Sequence, residues 1–473
     1  MPNERLRILM AMVFYPRGGS AQVVRYLSRA LLAEGHDVHL AVGSVDDGDP
    51  EHNAHHFYGE LPATIVDYTA ALEAHQRGAD PISADLPTPF HPSYEDKPNV
   101  PDRVFYELGA KAASALQRCW QLAFERVRKT FEPSVLHLHH INHMHIAATE
   151  SFPAIRRVAH LHGTELKMLE RMRMLATGGD YADERVAWKE RMHAAAQGMD
   201  HFIAISRDVS EKGSQLLDID ERKISFIPNG IDTDLFCPMA MSSSDKLDFL
   251  QQLLVAQPKG WDESGVVGSI RYTHVDLARL KTNEGRFKPL VIFVGRFLGF
   301  KRVPLLLEAL AAVNERFAAR EPPYNTIIWG GTPGEWEGEH PYTACKRLKL
   351  NNVFLTGWLP HDQLVKGLNL ADVFVAPSHF EPFGQVFLEA MATGIPVIGT
   401  RSGGPVEFVR DHGKDANGWL AEVDDVTSLA DQLYAALSDR DLREQRGVAA
   451  KTLVLQHYSW SSLAHRFLEV YRR

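Results

Sequence analysis

The chain has 473 residues, too many for one hydrophobic core and suited to two domains of roughly 200 residues each. Its formal charge of −9, without a domain-wide basic patch, excludes nucleic acid as the main partner. Only Cys119, Cys237 and Cys345 occur, with no C-x-x-C spacing, which excludes a disulfide framework and a cysteine zinc site and suits a reducing cytoplasm.

No signal peptide precedes Arg7-Ile8-Leu9, and no apolar run reaches the ~18 residues of a spanning helix. A soluble, cytoplasmic protein is expected, with peripheral membrane contact left open. From Arg7, RILMAMVFYPRGGSAQVV reads strand, glycine loop, helix, and with Gly35 as a stop before a second strand it forms one βαβ unit. The loop lacks G-x-G-x-x-G, against a dinucleotide fingerprint, yet Gly18-Gly19 lets backbone approach a ligand ahead of a helix. The alternative is a tight turn without a contact. Asp46 to Asp102, rich in Pro, His and acids, predicts a long loop, functional or disordered.

His137, His139, His140, His143 and His145 crowd HLHHINHMH. Imidazole is a common transition-metal ligand. A strand beginning at Val135, however, sends alternate side chains to opposite faces, so the five rings cannot all converge, and a cleft-lining or packing role is expected. RVAHLHGTELKMLE then places His162-Gly163-Thr164-Glu165 after a strand over Arg157 to Leu161, so that His162 faces a cleft. Asp218-x-Asp220 and Asp232-x-Asp234 mimic a metal-binding D-x-D, but one precedes a strand and the other lies in a turn. That turn, Pro228-Asn229-Gly230 in FIPNGIDTDLFCP, marks the break between two halves. The stretch 239–289 carries nothing that assigns a function.

In the second half, FVGRFLGFKRVPLLLEAL runs from a strand through a glycine and basic residues into a helix. Arg296 and Lys301 leave the strand's carboxyl end, where open α/β sheets bind ligands, and both can neutralise a diphosphate; Arg302 could equally be the partner. GGTPGEWEGEHP follows the strand Thr326–Trp329, so Gly330-Gly331 opens at a ligand-facing edge while Trp336 and the glutamates fold the loop. In SHFEPFGQVFLEAMATGIPVIGT, Pro382 and Gly384 punctuate a loop ahead of a buried helix. Its N-terminus near Phe383-Gly384 suits an anionic group. Glu381 and Glu389, eight residues apart, then suit sugar or ribose hydroxyls, which points to a nucleotide sugar. An ordinary helix with two solvated acids is the plainer alternative.

E-P-F-G-x4-E followed by G-I-P-V-I resembles the signature of the retaining family-four glycosyltransferases. P-N-G-I-D-x-x-x-F is a second hallmark of that family, and the resemblance spans nearly the whole chain. It implies an α/β fold of the GT-B type, two doubly wound Rossmann-like domains facing across a cleft. Residues 1–235 would form the acceptor-side domain and 236–456 the nucleotide-sugar domain, with an amphipathic helix at about 457–473 packing back on the first. The resemblance implies that Glu381 contacts the donor sugar, Glu389 the ribose, and the Phe383-Gly384 amides sugar and phosphate. Arg296 and Lys301 would hold the diphosphate, His162 would be catalytic or sugar-positioning, and the Gly18-Gly19 loop would lie near acceptor and donor phosphate. The segment 46–102 is read as covering the acceptor side.

No metal and no cofactor is expected beyond the donor substrate, a UDP-, GDP- or ADP-linked sugar, and the partner is a hydroxyl acceptor. Same-face substitution, with the leaving phosphate assisting deprotonation of the acceptor, is the mechanism the family implies. The rival reading is a nucleotide-sugar 2-epimerase of the same architecture, and a non-catalytic sugar sensor is third.

Overall fold

The computed structural model describes residues 4–473 except 84, 96–100, 102, 176–177, 319–320 and 382, and only the backbone of 361–362. The chain forms two compact units, one of Met1–Gly230 with Trp460–Arg473, the other of Ile231–Ser459.

The first unit is built on seven strands: β1 (Arg7–Met12), β2 (Asp37–Ser44), β3 (Ala63–Asp67), β4 (Val135–His139), β5 (Arg156–Leu161), β6 (His201–Ala204) and β7 (Ile224–Phe226). They lie in the order β3-β2-β1-β4-β5-β6-β7, every pair parallel. Parallel sheets are covered on both faces, so their strands read as continuous apolar runs; β1, RILMAM, is buried after its first residue. Helix Gly19–Ala33 buries Ala21, Val24, Leu27, Ser28 and Leu31, the three-and-four spacing of an amphipathic helix. Helix Trp460–Arg472 belongs to this unit, with Leu463, Phe467 and Tyr471 in its core.

The second unit has β8 (Leu290–Val294), β9 (Asn325–Trp329), β10 (Val353–Gly357), β11 (Val373–Val375), β12 (Val397–Thr400) and β13 (Gly418–Ala421). Their order is β10-β9-β8-β11-β12-β13, again all parallel. Strand order reverses between β8 and β11, and between β1 and β4 in the first unit. Ligands of doubly wound sheets bind at such switch points, beyond the strands' carboxyl ends. Ile231 joins the second unit because its amide donates to Tyr458 O (2.7 Å) and its side chain enters that core.

One stretch differs from its sequence reading, and a second, to which the sequence assigned nothing, is ordered. The segment Asp46–Asp102, expected as a long loop, contains β3 and the helices Ala54–Tyr58 and Thr69–Gln76. It buries Phe57, Tyr58, Tyr68, Phe90, His91 and Tyr94, and that apolar content supplies the energy for ordering. The stretch 239–289 carries helix Ser243–Gln251, which continues in π-helical form over Gln252–Ala256, and helix His274–Ala278. Trp261, 1% exposed, anchors it by donating to Gly331 O at 3.0 Å. No helix among the described residues is long and apolar enough to cross a membrane.

Candidate functional site

The loops after β8 and β11 straddle the switch point of the second unit, and they bring two of the sequence-predicted residues into contact. Lys301 closes a short 3-10 turn, Gly299–Lys301, before helix Val303–Phe317. Its Nζ donates to Glu381 Oε2 at 2.6 Å, and both side chains are largely buried, at 15% and 11% exposure. Ser378 Oγ donates to the same oxygen at 3.1 Å. A short contact of this kind, largely shielded from water, fixes the position of both side chains.

The Glu381 loop is clamped from behind. Thr400 Oγ1 donates to Ser378 O (2.6 Å) and Gly404 N to Glu381 O (2.7 Å). Gly403 has φ +64°, and a Cβ there would lie 2.1 Å from Glu381 O; one on Gly404 would lie 2.0 Å from Phe383 O. Ser402-Gly403-Gly404 therefore seats the carboxylate loop, a role unread in the sequence, although two glycines just past a strand and ahead of Pro405 were a signal of close backbone approach. Gly384, at φ +88°, caps helix Gln385–Ala392 without a side-chain cap. The first-turn amides near Phe383 and Gly384 thus make the anion-suited end expected of a helix N-terminus. Glu389 lies on this helix, 5% exposed. Pro382 lies outside the described residues.

The other basic residues have their own anchors. Arg296 forms a two-pronged pair with Glu335, Nε to Oε2 at 3.1 Å and a second bond from the other arm to Oε1. Glu337 accepts from the Gly299 amide (2.6 Å), so the glutamates of the Gly330–Pro341 loop tie it to the Arg296–Lys301 loop. Arg302 is committed elsewhere. It donates to Asp424 at 2.6 and 3.0 Å, and His379 Nδ1 lies 2.8 Å from the same carboxylate. The Arg302 hydrogen bond pulls the Asp424 carboxyl down to about 2.

In the first unit, Gly18 starts helix Gly19–Ala33 without a side-chain cap. Its neighbours Arg17 and Ser20 line a cavity of about 160 Å³ with Ser93, Tyr94, His140 and Thr164. Glu165, fully buried, organises the opposite wall. It accepts from the His162 amide (2.8 Å) and from Thr164 Oγ1 (3.2 Å), and lies 3.2 Å from His140 Nδ1. Burial alone would push the Glu165 carboxyl up, but these bonds, His140's first, hold it below its ordinary value. An acid in the first turn of helix Thr164–Met174 was legible as a helix start, not as the carboxylate behind His140 and His162.

His162 belongs to a stack of imidazoles. His137 and His139 share a face of β4, His160 lies on β5 and His162 just past its end, and ring centroids lie 4.5 Å apart for His137–His139, 4.4 Å for His160–His162 and 4.3 Å for His140–His162. His139 Nδ1 lies 2.9 Å from His162 Nε2, and His137 Nδ1 lies 2.6 Å from the Tyr471 hydroxyl. Burial drives the pKa of His139, His160 and His162 well below the ordinary value and that of His137 to about 3, so these four rings are neutral. Nitrogens of His137, His139 and His160 fall within 4.8 Å of one another. Yet the His137 ring is inclined to the other two by only 16° and 23°, so in-plane lone pairs do not aim at a common point, and both His137 nitrogens already face Tyr471 and His160. This is the geometry of packed rings. The D-x-D pairs are structural as well: Asp232 Oδ1 accepts from the Asp234 and Leu235 amides (both 3.1 Å), and Asp220 binds Arg222.

Residues 17–235 match the profile described as Glycosyltransferase Family 4, and residues 277–453 that of Glycosyl transferases group 1. The chain is 30% identical over 309 residues to the alpha-maltose-1-phosphate synthase of Mycolicibacterium smegmatis, covering 63% of this chain and 68% of that one. Among solved structures, sucrose-phosphate synthase from Thermosynechococcus elongatus aligns with a TM-score of 0.61 at 19% identity, over 99% of this chain and 98% of that one. Anabaena HepE in complex with UDP-glucose aligns with a TM-score of 0.60 at 16% identity, over 98% and 99%.

Proposed function

The chain belongs to the family-four glycosyltransferases of the GT-B fold, and from that premise we propose that it moves a sugar, with retention of anomeric configuration, from a nucleotide diphosphate sugar to a hydroxyl acceptor. The observation that carries this reading is the Lys301–Glu381 contact at the switch point of the second unit, 2.6 Å long. It puts a cation and a carboxylate beside an uncapped helix N-terminus, the combination needed where a sugar joins a diphosphate.

In this reading Lys301 and Arg296 stabilise the negative charge that grows on the departing diphosphate. Glu381 orients the sugar hydroxyls with the amides of Phe383 and Gly384, and Glu389 takes the ribose. Lys301 neutralises Glu381, which makes that carboxylate a poor covalent nucleophile and favours same-face substitution. The bond from the anomeric carbon to the diphosphate oxygen breaks with its electron pair going to the diphosphate. The acceptor oxygen bonds to the same face, and its proton passes to the leaving phosphate. Residues 1–230 with the last helix form the acceptor side: the Gly18-Gly19 loop and the cavity beside His140 receive the acceptor, and His162, neutral, serves as a hydrogen-bonding rather than an acidic group. The enzyme is taken to work in the cytoplasm without a metal. HepE's solved complex with UDP-glucose supports a UDP-linked donor as the first to try.

Incubation with UDP-, GDP- and ADP-linked sugars, with and without a cell-extract acceptor fraction, tests the reading by mass spectrometry. A glycosylated product that needs the acceptor fraction supports transfer. Conversion of the donor's own sugar to an epimer without acceptor would support the 2-epimerase instead.

A further inference from the structure

The stretch 239–289, to which the sequence assigned nothing, closes a second cavity in the later unit. The cavity, of about 370 Å³, is lined by Pro289 and Leu290 at the start of β8 and by Asp372 just before β11, the opposite strand ends from those that lead to Lys301 and Glu381. That stretch contributes Lys246, Arg286 and Lys288, and helix Arg440–His457 adds Arg440 and Arg443, against two carboxylates in the lining, Asp372 and Glu444.

Glu444 is paired with Arg440 (2.7 Å), and Asp372, which accepts from the Leu290 amide (2.8 Å), keeps its charge in the field of Arg440, so five cations face two carboxylates in the lining. Arg443 is the telling residue. It is 6% exposed and donates to Ala436 O and Leu437 O at 2.8 and 3.0 Å, but has no ion-pair partner among the described residues. Lys246 has none either, and the pairs of Arg286 with Glu284 and Lys288 with Glu321 are long, at 3.9 and 3.6 Å. A buried guanidinium without a countercharge is costly, and neighbouring cations raise that cost. An anion in the cavity relieves both.

We propose that this cavity binds a phosphate ester, a site distinct from the donor site and independent of the reading given above. Guanidinium forks match phosphate oxygens two at a time and ammonium groups add point charge, while Leu250, Leu280 and Phe287 offer an apolar wall to the esterified group. A soluble sugar phosphate and the headgroup of a phospholipid share this chemistry. Because β8 and β11 also lead into the Lys301 and Glu381 loops, the site is positioned as an effector site for the enzyme.

The test titrates the full chain by calorimetry with glucose 6-phosphate, with glucose as the neutral control, and co-sediments it with phosphatidylcholine vesicles with and without phosphatidic acid. At least one phosphate probe is expected to bind. The double variant Lys246→Ala, Arg286→Ala should weaken that binding about tenfold or more, the usual effect of deleting charge-assisted hydrogen bonds, while Lys301→Ala leaves it unchanged. Binding of glucose 6-phosphate alone assigns a soluble ligand, and binding of the acidic vesicles alone a lipid headgroup. Failure of both probes to bind, or binding that the double variant leaves intact, overturns the proposal.

Discussion

Lys301 and Glu381 stand eighty residues apart in the chain and meet at 2.6 Å because β8 and β11 are neighbours in the sheet. Replacing Lys301 by Ala should therefore lower turnover by about 10²–10³, the usual cost of deleting one preorganised charge-stabilising donor. Arg296→Lys should restore little, since an ammonium lacks the guanidinium fork. Arg302→Ala, whose side chain is held by Asp424 and His379, should affect turnover far less. Steady-state kinetics on the three variants check the ranking, and a native kcat for a folded Lys301→Ala would remove Lys301 from the mechanism.

Gly403→Ala should damage the site without touching a charged group. The new methyl would meet Glu381 O at 2.1 Å, at a φ of +64°, so the carboxylate loop must shift. The expected result is a large rise in the donor's KM with a smaller loss of stability, of about 1–3 kcal/mol. Kinetics beside denaturant unfolding separate the two.

Acid should weaken the first unit. Burial lowers His137, His143 and His145 to about 3 and drives His139, His160 and His162 well below the ordinary value. In the unfolded chain these groups take protons near 6.5. Between that value and about 3 the unfolded state binds more protons, so stability present at neutral pH is lost as pH falls, by about 1.4 kcal/mol per pH unit per group. Urea midpoints measured downward from pH 7.5 should fall steeply below 6.5. His143, with neither ring nitrogen partnered among the described residues, offers a control: His143→Leu should shrink the slope. A midpoint flat with pH would contradict the neutral stack.

Turnover should persist in excess EDTA. The motive is the near-parallel packing of His137, His139 and His160, whose ring planes meet at 16–35°, together with the structural roles of both D-x-D pairs. Activity lost to EDTA and restored by a transition metal would return the histidine stack to consideration as a metal site.

How much of this was legible in the sequence depended on range. Buried parallel strands announce themselves as apolar runs, so the alternation of strand and helix and the motifs around Lys301, Glu381 and His162 were each readable locally. The Lys301–Glu381 contact was not, because it depends on strand order, which no spacing encodes. The histidine stack has the same origin. Register pairs His139 with His160, so same-face residues of two strands meet although HLHHINHMH alone suggested divergence. β3 was missed because only Val66 of its five residues is buried, too weak a pattern to stand out from a polar stretch. Ser402-Gly403-Gly404 went unread because its function lies in missing side chains.

The anomeric configuration of the transferred sugar, read by proton NMR on product made from an α-linked nucleotide sugar and a purified acceptor, tests the central claim most directly. An α-linked product, formed only when acceptor is present, is expected. A β-linked product would contradict same-face substitution by the Lys301–Glu381 site, and an epimerised donor without transfer would contradict glycosyl transfer itself.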